Sequence, residues 1–470
     1  MMVTKWRDLT WLGLLVAVSF ALASCGKKNS PPETRQSRLA WNLKTTVGAY
    51  QNIGNTDPKW DEAATNALAE FAASRAYTLS ADEDWTTIIR TNCDAAVQAG
   101  CDDPLIRYLY IRFSMSQTNS PQDFAGAFRS MADDMQHSSY PNIRKFYAAL
   151  RTAEQLKFAA GNIRETPPEV HQYRHLAVTN LINALDEKQM PAGEAYDACR
   201  DMLAALKQNE SQYKDCYSRI QKSFILKRPD ESDSWLLEGL AQIDLAWFAR
   251  GSGYANTVTD DQWKAFRADL ASAAESLNKA WKLNPKDPRI PIEMMTVDLG
   301  QGQGRDQMEL WFGRAMELDP NNYDACSSKL YYLEPKWYGS AADMLDFGRE
   351  CVASPNWGGR VPLILVDAHY NICNEYADPS ERTNYWKQPQ VWADIKSAYD
   401  KFFELNPAAV GYYYAYALYA YRAEQWDVFN GLIQKLEPVN YAYFGGQDEF
   451  NKMVLAAKEN AAMPAAAPPQ

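Results

Sequence analysis

The side chains best suited to chemistry lie in the second half of the chain, within residues 311–369. His369 and Glu334 could act as a general acid or base, because imidazole and carboxylate groups exchange protons with bound substrates. They belong to a larger set of aromatic and charged candidates: Trp311, Arg314, Lys329, Glu334, Lys336, Trp337, Tyr338 and His369. We expect this set to form one pocket that binds a ligand or partner. For catalysis we favour the competing interpretation, in which aromatic residues shape turns and charges pair between helices.

Other catalytic and metal-binding patterns are weak. The glycine-rich segment 300–304 lacks the strand–helix frame of a phosphate-binding loop. His171 and His175 share a helical face, but the sequence offers no third ligand for a metal ion. A serine-nucleophile elbow and a protease-like Cys/His pair are also missing from the sequence. We therefore predict that the chain is not an enzyme and needs no cofactor or metal.

The N-terminal cysteine, Cys25, has a different chemistry. Two basic residues and an apolar stretch precede Leu22-Ala23-Ser24-Cys25. This segment resembles a bacterial lipoprotein signal, in which the cysteine thiol is acylated. The resemblance implies removal of residues 1–24, a lipidated tether over residues 25–36, and attachment to the outer membrane, facing the periplasm or the cell surface. An ordinary secretory signal is the alternative.

The charge of the chain limits its partners. A net charge of −11 over 470 residues argues against nucleic acid, because phosphates would be repelled. The sequence has 15 Trp and 27 Tyr, which is enough to place some aromatic rings on a binding surface.

Seven cysteines remain after Cys25. Six of them form neighbouring candidate disulfide pairs, and one is left over: Cys93 with Cys101, Cys199 with Cys216, Cys326 with Cys351, and Cys373 alone. At each pair, the two cysteines could form a disulfide or remain buried free thiols.

Apolar residues recur with helical spacing from residue 37 to residue 460, which predicts an all-α protein. Residues 37–229 have no clean repeat, so they are either a degenerate continuation of an array or a separate helical domain. Residues 230–460 form the repeat region. Residues 461–470 are rich in Ala and Pro and are expected to be a disordered tail.

A repeat of 35 residues sets the expected architecture. Leu283-Asn284-Pro285 recurs as Leu318-Asp319-Pro320, and Pro355 follows at the same interval. With Ala273, Leu277 and Ala280 before the first proline, residues 230–438 resemble a tetratricopeptide-repeat (TPR) array. The resemblance implies a right-handed α-solenoid of TPR-like helix pairs.

A narrower resemblance covers the segment from Glu334 to Ser340 and the helix after it. This segment is similar to the bacterial domain of unknown function 4034, which brings no assigned activity.

We therefore expect a membrane-anchored lipoprotein that acts as a protein- or peptide-binding TPR scaffold in the bacterial envelope. One alternative is a surface lipoprotein that captures a glycan or nutrient. The other is an enzyme with a site around Trp311, Lys336 and His369.

Overall fold

The structure, a computed structural model, describes residues 35–76, 85–115, 120–161, 166–187, 189–251, 253, 255–436 and 438–461. All of them belong to one unit of the chain, which spans residues 33–470. The signal segment, Cys25 and nearly all of the tail lie outside the described residues.

Every regular element in these ranges is helical, so the predicted all-α class is confirmed. The first ten helices are α1 (Arg35–Thr45), α2 (Val47–Ile53), α3 (Asp61–Arg75), α4 (Trp85–Gln98), α5 (Pro104–Phe113), α6 (Pro121–His137), α7 (Asn142–Ala160), α8 (Pro168–Asp186), α9 (Ala192–Leu206) and α10 (Glu210–Ile220). A π-helical turn, Gln221–Ile225, continues α10.

The remaining helices are α11 (Ser232–Arg250), α12 (Asp260–Leu283), α13 (Arg289–Gln301), α14 (Arg305–Leu318), α15 (Tyr323–Tyr332), α16 (Ala341–Ala353), α17 (Ile364–Glu375), α18 (Pro379–Trp386), α19 (Pro389–Leu405), α20 (Tyr413–Arg422), α21 (Trp426–Ile433) and α22 (Gln447–Ala461). Short 3-10 turns lie at Ala255–Thr257, Val361–Leu363, Val410–Tyr412 and Tyr441–Phe444. Within the described residues, no helix is both long and apolar enough to cross a membrane.

Three helices end in the same way, at an Asn or Asp that precedes a proline. Asn284, Asp319 and Asn406 have φ/ψ values of −144°/86°, −144°/96° and −134°/65°. A residue before proline is pushed out of the α region, so the helix stops there. The Leu-Asn/Asp-Pro sequence therefore ends all three helices in one backbone conformation, whereas Ser354, which precedes Pro355, has φ/ψ values of −63°/124°.

Successive helices from α11 to α22 each pack against the next one in the chain. Contacts also skip one helix, joining α9 to α11, α11 to α13, α13 to α15 and α15 to α17. We call the layer formed by α9, α11, α13, α15 and α17 the odd-helix layer. Each of its helices is held both by its even-numbered neighbours and by the next odd-numbered helix.

The buried apolar core is continuous across residues 229 and 230. One cluster of buried side chains extends from Ala49 to Ala368, and a second extends from Leu363 to Ala457. Tyr323, Leu345 and Ile372 pack against both clusters.

Buried charges hold α1 against the helices that follow it. Arg38 donates from Nε to Glu194 Oε1 of α9 at 2.7 Å, and its Nη2 pairs with Asp197. Asn42 of α1 donates to the same Glu194 oxygen at 2.7 Å, and Arg144 of α7 donates to Asn42 Oδ1 at 2.8 Å. Glu194 is fully buried, so these donors replace the water that its carboxylate loses on folding.

The seven described cysteines are buried free thiols in this structure. The Cys351 thiol nevertheless contacts that of Cys326: burial and this hydrogen bond together raise the pKa of Cys351.

A candidate binding site on the odd-helix layer

The structure distributes the eight predicted site residues over four local clusters instead of one pocket. Trp311 of α14 is buried, and its ring meets that of Trp281 edge-on at 5.7 Å. The Arg314 guanidinium lies over the Trp311 ring at 4.3 Å. These residues therefore join α12 to α14 within the packed helices.

Lys329 is also buried, at 5% exposure, although it carries a charge. Its Nζ forms an ion pair with Glu309 Oε2 at 2.7 Å and lies 4.3 Å from the Phe312 ring centroid. Pairing with a carboxylate and an aromatic face compensates for the loss of water around the ammonium group. Lys329 thus ties α15 to α14.

His369 lies in the packed interior. It is 1% exposed, with Nδ1 at 2.7 Å from Tyr385 Oη and Nε2 at 3.2 Å from Asp394 Oδ2. Arg349 Nη2 donates to the same Asp394 oxygen at 2.8 Å. Burial lowers the pKa of His369, and the Asp394 carboxylate opposes that shift.

A His–carboxylate contact can serve general acid–base chemistry only where a substrate reaches the imidazole. Both ring nitrogens of His369 are taken up by protein groups from α18 and α19. The arrangement joins α17 to these two helices and gives no support to a catalytic role.

The fourth cluster contains Glu334, Lys336, Trp337 and Tyr338, and it is the one near the surface. Lys336 Nζ pairs with Glu334 Oε2 at 2.5 Å and lies 4.8 Å from the Tyr331 ring centroid. Trp337 contacts the same Tyr331 ring at a centroid distance of 5.7 Å. Tyr331 is 42% exposed, so its ring presents a free surface beside an ion pair.

A cavity of about 230 Å³ opens next to Tyr331, between α13 and α15. It is lined by apolar and hydroxyl-bearing side chains: Met295, Thr296, Leu299, Ser327, Ser328 and Tyr331. Tyr338 contacts the residues beside it, because its hydroxyl donates to the carbonyl of the lining residue Leu299 at 3.0 Å and its ring stacks on Tyr332 at 4.9 Å. We call this cavity, with the Glu334–Lys336 pair at its edge, the Tyr331 site.

A second carboxylate on the odd-helix layer has a raised pKa. Glu293 of α13 is half-buried, and burial followed by the nearby Asp244 raises its pKa to about 7. Lys207 and Arg200 act in the opposite direction. The odd-helix layer therefore presents acidic and basic groups as well as the Tyr331 site.

The sequence analysis missed the residues that line the cavity. A signal for them existed, since Thr296 and Tyr331 are separated by the same 35 residues as the repeated prolines. They lie on α13 and α15, which contact each other.

No metal centre is formed in the described part of the chain, where no group of three or more His, Cys, Asp or Glu side chains is suitably arranged. The chain was also compared with known proteins. Neither a protein-family model nor a curated protein matches it.

Proposed function

We propose that this chain is a membrane-anchored lipoprotein whose TPR-like helix array binds a peptide segment of a partner protein at the Tyr331 site. The observation that carries the proposal is a cavity on the odd-helix layer that is lined by an exposed aromatic ring and hydroxyl groups, with the ion-paired Lys336 ammonium 4.8 Å from that ring. Its role is recognition and not chemistry.

Close helix contacts support the TPR-like register. A Cβ atom added to Gly239 of α11 would lie 2.6 Å from Leu277 Cγ of α12, so only glycine fits there. Ala273, Leu277 and Ala280 are all fully buried. Small residues at one crossing and a larger apolar residue between them are what a TPR helix pair requires. The right-handed solenoid is part of this proposal.

The size of the cavity favours a peptide side chain over a whole small molecule. Ligand pockets usually enclose roughly 300–1,000 Å³, and about 230 Å³ falls below that range. Met295 and Leu299 offer apolar contact to one inserted side chain. The hydroxyls of Thr296, Ser327 and Ser328 can then bond to the adjoining peptide backbone.

The proposed partner is tested by crosslinking intact cells and purifying the protein with its adducts. Ser328→Trp places a large ring in the cavity and should remove the adduct. Ser272→Trp is the matched control, because Ser272 is exposed on α12, outside the odd-helix layer. Adducts of equal yield from both variants would refute binding at the Tyr331 site.

The anchor is tested separately by Cys25→Ser and membrane fractionation. Loss of the acylated thiol should release the protein from the membrane pellet, since buried acyl chains hold a lipoprotein at about 0.8 kcal/mol per CH₂ group. A variant that stays in the pellet would contradict lipid anchoring.

Glycan capture is the second candidate, because the exposed Tyr331 ring could stack on the face of a sugar. Crosslinking that yields no protein adduct, together with sugar binding abolished by Tyr331→Ala, would favour it.

A further inference from the structure

A second cavity, of about 390 Å³, lies among α18, α20 and α21, away from the Tyr331 site. Aromatic side chains from all three helices line it: Trp386, Tyr421 and Trp426. Trp386 packs on Tyr419 at 5.1 Å, and Tyr421 meets Trp426 edge-on at 5.4 Å. Ring contacts therefore fix this aromatic floor before any ligand enters.

Basic side chains form the rim of the cavity. Lys387 is neutralised by an ion pair with Glu424 Oε1 at 2.6 Å. Arg382 donates from Nε to the Tyr376 carbonyl at 2.6 Å, which leaves its two terminal nitrogens available. The Arg422 guanidinium lies 5.5 Å from the Tyr419 ring centroid. Among the described residues, no carboxylate forms an ion pair with either arginine.

Arg382 and Arg422 both line the cavity. Their charges also oppose the burial that raises the pKa of the nearby Cys373 thiol. The two guanidinium groups attract a small anion to the cavity, although the chain as a whole has a net charge of −11.

The rim also contains a strained residue. Glu424 is the one non-glycine residue with positive φ in the described ranges, at 56°. It follows the last turn of α20, where Gln425 N–H bonds to the Ala420 carbonyl at 2.8 Å, a position that usually holds glycine. Glutamate there is disfavoured by sterics but brings a carboxylate to Lys387. Such strain is concentrated at functional sites.

We propose that this cavity binds a small carboxylic acid that also carries a ring, either an acidic sugar or the C-terminal aromatic residue of a peptide. The forked guanidinium of Arg422 or Arg382 pairs with both oxygens of a carboxylate. The ring stacks on the floor formed by Trp386, Tyr421 and Trp426. The site is independent of the Tyr331 site, so neither proposal depends on the other.

Calorimetric titration of the purified full chain tests the assignment. The probes are glucuronate against glucose, and N-acetylphenylalanine against its amide, so each acid has a neutral counterpart. At least one acid should bind, at least about tenfold more tightly than its counterpart, because a charge-assisted hydrogen bond separates the two. The pair that shows this difference identifies the source of the ligand. No binding by either acid, or equal binding of acid and neutral probe, would overturn the proposal.

Three variants locate the binding. Arg422→Gln should weaken binding of the acid about tenfold, and Glu424→Gly should strengthen it, because it frees the Lys387 ammonium to pair with the ligand. Arg129→Gln is the control, since Arg129 forms a half-exposed ion pair on α6. An unchanged affinity in Arg422→Gln, with a circular dichroism spectrum like that of the wild type, would refute the site. Weaker binding by Glu424→Gly would do the same.

Discussion

Arg38→Met should destabilise the packing of α1 on α9, because Arg38 is the main cation facing two buried carboxylates. Its guanidinium bonds to Glu194, which is fully buried, and to Asp197, which is 5% exposed. Removing one partner of a buried ion pair costs about 3–5 kcal/mol. Two weaker ion pairs remain, Arg75 to Glu194 at 3.5 Å and Arg200 to Asp197 at 3.9 Å, together with the Asn42 hydrogen bond to Glu194, so we expect about 3 kcal/mol.

The loss is measured by urea unfolding together with hydrogen exchange, which localises it to α1 and α9. Arg129→Met is the matched control: its ion pair with Glu169 has the same 2.7 Å distance, but its side chains are 43% and 51% exposed. Exposed pairs contribute about 0–1 kcal/mol.

Adding Glu194→Gln to Arg38→Met should recover about 1 kcal/mol or more, because no unpaired charge then remains at that position. Equal losses in Arg38→Met and Arg129→Met, or a double variant less stable than Arg38→Met, would refute the reasoning.

Three further predictions follow from burial. Ala280→Trp should lower stability by about 1–3 kcal/mol in thermal melting, because Ala280 is fully buried between helices; an unchanged melting curve would contradict the TPR-like register. Burial raises the pKa of Asp298 to about 7, above its value in the unfolded chain, so the stability that the protonated carboxyl group contributes is lost as the pH rises through 7. In urea unfolding, Asp298→Asn should therefore be more stable than the wild type at pH 8 but not at pH 4. Burial lowers the pKa of His369, so the unfolded chain binds the proton more readily and stability falls as pH decreases below about 6.5; His369→Gln should reduce that decline.

The helices were predictable because their signals are local. Apolar spacing indicated an all-α chain, and the prolines after Asn284 and Asp319 marked helix ends that the structure places at the same residues. Each of these signals depends on a few consecutive residues, so one sequence is enough to reveal them.

The grouping of the candidate site residues was not predictable. His369 depends on Tyr385 and Asp394, which come from two later helices, and Arg38 depends on Glu194, which is 156 residues away. Contacts of this kind follow from how helices stack, and the sequence gives no direct sign of them. Proximity along the chain suggested one pocket, but neighbouring residues on a helix point in different directions and join different clusters.

The Tyr331 site was predictable in part. Glu334, Lys336, Trp337 and Tyr338 were candidates from their types, and they form its edge. The cavity itself depends on how closely α13 approaches α15, which is a property of helix packing.

A photo-crosslinking amino acid placed at position 331 in intact cells tests the central claim most directly. Tyr331 is 42% exposed, and Phe158 of α7, at 70% exposure, is the control position outside the site. We expect a discrete protein adduct from position 331, none from position 158, and loss of the adduct when Ser328→Trp fills the cavity. No adduct from position 331, or the same adduct from both positions, would contradict it.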